Sequence, residues 1–197
     1  IVDEADFKGQ ITRDENNSNV ITIKNLYEDD TLTLQSLPGD NTINIYTENV
    51  ESFTVKINDE EAVENLNEFI AKTESTITLV FNATKGYEFN PADASKIYAR
   101  GGSITATTSE DKKTLYVTWI DFVTDATLNV SAEPSTNIVT IPDISAYFSG
   151  LTFNGQSILT TGTTYSIKTG QTIQVVATLN YGYTEPLIET TPDFVTA

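Results

Sequence analysis

Apolar and polar residues alternate along most of this chain. Ile21 and Ile23 flank Thr22, and Leu32 and Leu34 flank Thr33. Phe53, Val55 and Ile57 alternate with Thr54 and Lys56, and Ile77, Leu79 and Phe81 follow the same rule, although Val80 makes that run continuously apolar. Tyr116-Val117-Thr118-Trp119, Leu128-Asn129-Val130, Val139-Thr140-Ile141, Leu151-Thr152-Phe153 and Ile173-Gln174-Val175 extend the pattern. Successive strand side chains point to opposite faces, so period two predicts strands with one buried face. Thr, Val, Ile, Tyr and Phe dominate these runs, as a pleated, half-buried surface favours. Turn residues separate them at Pro38-Gly39-Asp40-Asn41, Asn90-Pro91 and Gly101-Gly102. Asn154-Gly155, between Leu151-Thr152-Phe153 and Ser157-Ile158-Leu159, predicts a two-residue hairpin.

One segment breaks the alternation. Ala62, Val63, Leu66, Phe69 and Ile70 are spaced like one face of a helix, behind the acidic run Asp59-Glu60-Glu61. Acidic residues suit a helix N-terminus, so a short helix is expected around residues 60–71.

The elements recur at a fixed distance. Gly86-Tyr87 returns as Gly182-Tyr183, an offset of 182 − 86 = 96. Lys72-Thr73, Thr76-Ile77, Pro38, Asn41 and Asn58 return at the same offset as Lys168-Thr169, Thr172-Ile173, Pro134, Asn137 and Asn154. Thr22, Asp29 and Leu32 return as Thr118, Asp125 and Leu128, and no gap is needed from about residue 20 onward. Lys8-Gly9-Gln10-Ile11-Thr12 matches Gly101-Gly102-Ser103-Ile104-Thr105 at an offset of 93, which places a three-residue insertion before Leu115. A long fixed period predicts an array of similar domains. On this reading residues 38–133 form one complete unit. Residues 1–37 match the last third of a unit and residues 134–197 the first two thirds, so the fragments together make about one more.

About seven strands in some 96 residues, with turns every 8–12, is the pattern of an immunoglobulin-like sandwich. The Cys…Trp…Cys signature of antibody domains is absent. The succession Thr76-Ile77-Thr78-Leu79-Val80-Phe81-Asn82-Ala83…Gly86-Tyr87, then Gly101-Gly102-Ser103-Ile104-Thr105, then Leu115-Tyr116-Val117-Thr118-Trp119…Val123-Thr124-Asp125-Ala126-Thr127-Leu128 resembles the immunoglobulin-like (Big-type) repeats of bacterial surface proteins and bacteriophage virions. The resemblance implies tandem antiparallel β-sandwiches that act as spacers, decorations or attachment modules, and it supplies no catalytic residue. Thr124-Asp125-Ala126 lacks the glycine usual in the turn before the last strand of such repeats, and Tyr27-Glu28-Asp29-Asp30 departs further.

Composition narrows the chemistry. Eleven Lys and Arg against 28 Asp and Glu give a formal charge of −17. Nucleic acid and anionic membrane surfaces need clustered cations, so neither is an expected partner. There is no Cys and no His, which removes thiol and imidazole nucleophile chemistry, Ser-His-Asp triads and the usual zinc sites. No apolar run is long enough to span a membrane as a helix. Met is absent as well, so residue 1 is read as the start of a processed chain or of a window on a longer one. Calcium at a domain junction needs six or more converging oxygens. Asp29, Asp30, Asp121 and Asp125 are the first residues to consider for it, and only Asp29 and Asp125 keep their place across units. No cofactor is otherwise expected. Tyr87 and Tyr183 are read as packing residues beside a turn glycine, and Trp119, which aligns with Ile23, as core.

The chain is therefore expected to be a non-catalytic structural protein of an extracellular filament, virion fibre or decoration. Its expected partners are copies of itself or other structural subunits, with residues 1–37 completing residues 134–197 of the same or a neighbouring chain, head to tail, by strand donation. An adhesin or receptor-binding module that contacts a host surface ligand is the alternative.

Overall fold

The computed structural model describes residues 7–17 and 19–185, and every regular element among them is a strand. In chain order these are β1 (Gln10–Arg13), β2 (Ile21–Lys24), β3 (Asp40–Glu48), β4 (Val50–Ile57), β5 (Val63–Glu64), β6 (Glu68–Lys72), β7 (Ile77–Ala83), β8 (Tyr87–Glu88) and β9 (Ile97–Arg100). They continue as β10 (Ser103–Thr108), β11 (Thr114–Ile120), β12 (Ala126–Ser131), β13 (Glu133–Pro134), β14 (Thr136–Asp143), β15 (Phe148–Phe153), β16 (Gln156–Ile158), β17 (Thr161–Lys168) and β18 (Val175–Leu179). Residues 1–6 and 186–197 of the two flanking segments lie outside the described residues.

The central part is a β-sandwich. One sheet has the order β10-β11-β7-β4-β5 and the other β6-β3-β12-β9. Alternation drives the closure: along β7, Ile77, Leu79, Phe81 and Ala83 are buried and the residues between them are not. Ile43, Ile45, Phe53, Val55, Leu115, Val117, Trp119, Leu128 and Val130 join them in one apolar cluster drawn from both sheets. Fully burying side chains of this size contributes about 1.5–3 kcal/mol each, so this cluster dominates the stability of the chain. Trp119 is fully buried, and its indole N–H donates to the Gly101 carbonyl at 2.9 Å. Most strand pairs are antiparallel, but β12 runs parallel to β3, from Ala126 opposite Ile43 to Ser131 opposite Glu48. The chain therefore comes into the sandwich at one end and leaves at the other.

The helix expected around residues 60–71 is not present; that segment is β5, a turn and β6. Asn65 takes a left-handed φ of 51° and clamps β4, its N–H donating to the Phe53 carbonyl and its side-chain oxygen accepting from the Phe53 N–H. A helix cannot pass through a left-handed residue. Beyond it, Phe69 and Ala71 are buried while Ile70 between them is 58% exposed. The edge of β3 offered β6 a ladder, Ile43 opposite Phe69 and Asn41 opposite Ala71, and pairing outweighed a weak helical spacing.

A two-stranded and a three-stranded sheet follow the sandwich. β14 pairs with β17, and β15 lies between β16 and β18. The rings of Phe153 in β15 and Tyr165 in β17 meet edge-on with centroids 4.6 Å apart, a contact between the two sheets. Thr136 opposite Lys168 repeats the pairing of Asp40 with Lys72, 96 residues on. Before the sandwich, β1 and β2 form a hairpin, and Ile11 opposite Ile23 repeats Ile104 opposite Trp119.

Candidate functional site

The acidic residues act as local acceptors. The Asp125 carboxylate accepts from the backbone N–H of Thr42 at 2.7 Å, tying the turn before β12 to β3. Asp30 accepts from the backbone N–H groups of Lys8 and Thr31, which hold its carboxyl below the usual aspartate range. Asp121 takes a left-handed φ of 61° at the end of β11, and Asn25, 96 residues earlier, takes 54° after β2. Asp29 is exposed. Among the described residues no three acidic side chains are placed to hold one metal ion.

The Gly86-Tyr87 turn sits at a joint between the sandwich and the sheets that follow it. β8 pairs with β13, Tyr87 opposite Pro134 and Glu88 opposite Glu133. Ser135 is buried; its N–H donates to the Gly86 carbonyl at 2.8 Å and its carbonyl accepts from the Thr169 N–H at 3.0 Å. Asn137 donates to the Thr169 hydroxyl at 3.0 Å. The Lys113 ammonium closes the joint, donating to the Tyr87 carbonyl at 2.7 Å and the Ser135 hydroxyl at 2.8 Å. Gly86 has a φ of 87°, and a Cβ there would lie 2.8 Å from the Thr169 methyl. Only glycine satisfies both conditions. Sequence reasoning found the Gly-Tyr pair but missed Lys113 and Ser135. Lys113 falls in the stretch where the three-residue insertion interrupts the repeat, and that departure was its one signal.

Half of this joint recurs at the start of the sandwich. Thr73 donates its N–H to the Gly39 carbonyl at 2.8 Å, and Asn41 donates to the Thr73 hydroxyl at 3.1 Å. Among the described residues no glycine turn lies against this socket. Conversely Gly182, at φ 95°, has no atom within 4 Å of where a Cβ would stand.

Among the described residues, β14 and β18 each have one unpaired edge. β14 is hydrogen-bonded to β17 on one side, and β18 to β15 on one side. Before β3, residues 25–39 form no strand, although Leu32 and Leu34 alternate with Thr33. Leu26, Leu34 and Val175 are 53%, 60% and 53% exposed. On the outer face of the four-stranded sheet, exposed Tyr46 and Tyr98 flank Asn129 in one row across β3, β12 and β9.

No protein-family model, curated protein or solved structure matches this chain. Its geometry is therefore the whole basis for a functional reading.

Proposed function

We propose that the chain is a structural protein, a row of immunoglobulin-like sandwiches within an extracellular filament, virion fibre or decoration. The observation that supports this reading is the recurrence of strand registers on both sides of a complete sandwich, at offsets of 93 and 96 before it and of 96 after it. A parallel first-to-last strand pair sends the chain in at one end and out at the other, which suits an array in line. The buried apolar residues of the sandwich form one core, and Asp93, Asp111 and Asp125 accept hydrogen bonds at its turns. Immunogold labelling with antibody raised against residues 38–133 tests it: label along fibres on virions or cell surfaces is expected, and label confined to the cell interior overturns it.

A second reading, an adhesin or receptor-binding module, is favoured by the Tyr46–Asn129–Tyr98 row. Two exposed rings flanking an amide suit stacking against a sugar face. A glycan array separates the two readings, with Tyr46→Ala abolishing any signal that this row carries.

A further inference from the structure

Building on the second reading above, we infer that the outer face of the four-stranded sheet is a trough along β12 that binds a linear, uncharged saccharide. The register of three strands lays it out. Asn129 lies opposite Tyr46 of β3 and Tyr98 of β9. Two residues back along β12, Thr127 lies opposite Asn44 and Arg100. Two residues on, Ser131 lies opposite Glu48, and its N–H donates to the Lys96 carbonyl just before β9. Residues two apart in a strand share a face, and the buried Ile43, Ile45, Leu128, Val130 and Ile97 occupy the other one.

Side-chain length makes this face concave. β12 contributes Thr127, Asn129 and Ser131, which are short, and they form the floor. The strands on either side contribute longer side chains as walls: Tyr46 and Glu48 on one, Lys96, Tyr98 and Arg100 on the other. Neighbouring strands lie about 4.8 Å apart, so the walls stand on backbones about 10 Å apart, and the floor from Thr127 to Ser131 covers about 13 Å. Two clefts, of about 490 and 240 Å³, lie along this line. The larger is at the Thr127 end, where Asn44 lowers one wall, and the smaller runs from Asn129 to Ser131. Tyr46 and Tyr98, both exposed, stand midway along the trough.

The lining fits a neutral sugar chain. A sugar ring has an apolar face of C–H groups, which suits an exposed tyrosine ring, and a rim of hydroxyls that each donate and accept. The trough meets both needs. At the larger cleft Arg100 can only donate and Asp125 only accept; one Asp125 oxygen takes the Thr42 N–H and the other is not engaged among the described residues. At the smaller cleft Lys96 donates and Glu48 accepts, with Glu48 already holding the Ser131 hydroxyl at 3.0 Å. Among the described residues neither cation is in an ion pair, and the side chains of Asn44, Thr127, Asn129 and Arg100 make no hydrogen bond. The trough has no surplus of positive charge, so on a chain of −17 an acidic glycan is repelled. A peptide strand gains no ladder from the floor, because β12 is already paired on both edges, with β3 and β9.

Affinity electrophoresis of the whole chain tests this, through gels that contain dextran, galactomannan or hydroxyethyl cellulose, with alginate as the acidic comparison. Retardation by at least one neutral polymer and none by alginate is expected. Tyr46→Ala and Tyr98→Ala should each weaken binding about two- to tenfold. Thr127→Arg, which fills the floor and leaves both rings, should abolish it. Tyr116→Ala removes an exposed ring from the other sheet and should change nothing. Circular dichroism checks that each variant is folded. The trough is overturned by no retardation in any neutral gel, by equal retardation in alginate, or by retardation that the two tyrosine variants or Thr127→Arg leave unchanged. Adherence to host cells separates this outcome from that of the adhesin reading. Adherence lost in Tyr46→Ala but kept in Thr127→Arg retains the adhesin and removes the trough, whereas polysaccharide binding without adherence retains the trough and removes the adhesin.

Discussion

Gly86→Ala isolates the joint from the core. An alanine held at φ 87° costs about 1–2 kcal/mol from backbone strain alone. Its Cβ would stand 2.8 Å from the Thr169 methyl and 3.1 Å from its hydroxyl, so Thr169 must rotate. Rotation breaks the Asn137 hydrogen bond to that hydroxyl, worth about 0.5–1.5 kcal/mol. The sum, about 2–3 kcal/mol, falls on the joint, because the three atoms nearest the new Cβ all belong to Thr169. Amide hydrogen exchange reads it. The N–H groups of Ser135 and Thr169 bridge the joint, and their exchange should speed up by about 30- to 150-fold, a factor of ten for each 1.4 kcal/mol. The Val117 and Leu79 amides should not change. Adding Thr169→Ala to Gly86→Ala removes the collision and should restore part of the protection. Gly182→Ala has the same backbone strain with no neighbour to strike, and should show only the smaller cost. Ser135 exchange within about threefold of the parent protein in Gly86→Ala would refute the joint as described, since that corresponds to under 1 kcal/mol.

Trp119→Phe keeps an aromatic ring but leaves the Gly101 carbonyl without its donor; a loss of about 2 kcal/mol in urea unfolding, followed by circular dichroism, is expected. Asp93 and Asp143 each accept from a serine hydroxyl and N–H two residues on, which lowers both carboxyl pKa values. A lowered folded-state pKa gives stability that is present above the unfolded value and is lost as pH falls through the folded one. Melting temperature should therefore decline below about pH 4, and Asp93→Asn or Asp143→Asn should weaken that decline. Association between copies carrying −17 each should strengthen with salt, as the screening length shrinks from about 30 Å at 0.01 M to about 8 Å at 0.15 M. Light scattering that does not rise over that range would count against assembly.

The strands were legible because burial acts on alternate residues, and Phe53, Val55, Leu79 and Phe81 carry that alternation in their own side chains. The segment 60–71 was misread because its spacing is ambiguous over so few residues, and the deciding partner, β3, lies some thirty residues away. The joint was legible only in part. Asn41, Thr73, Asn137 and Thr169 repeat visibly, but the reach of Lys113 to Ser135 depends on a loop conformation that no local pattern encodes. A subtler miss concerns register. The burial pattern of Val50–Val55 recurs at Phe148–Phe153, 98 residues on rather than 96. One residue links β3 to β4 and four link β14, itself one residue shorter than β3, to β15, and the turn at Asn154 comes two residues sooner after the matched strand than that at Asn58. Asn58 and Asn154 still do the same work, each accepting with its side-chain oxygen an N–H from across the turn, that of Thr76 or of Gln174. A slip of two keeps every side chain on its own face, so an ungapped alignment passes over it unseen.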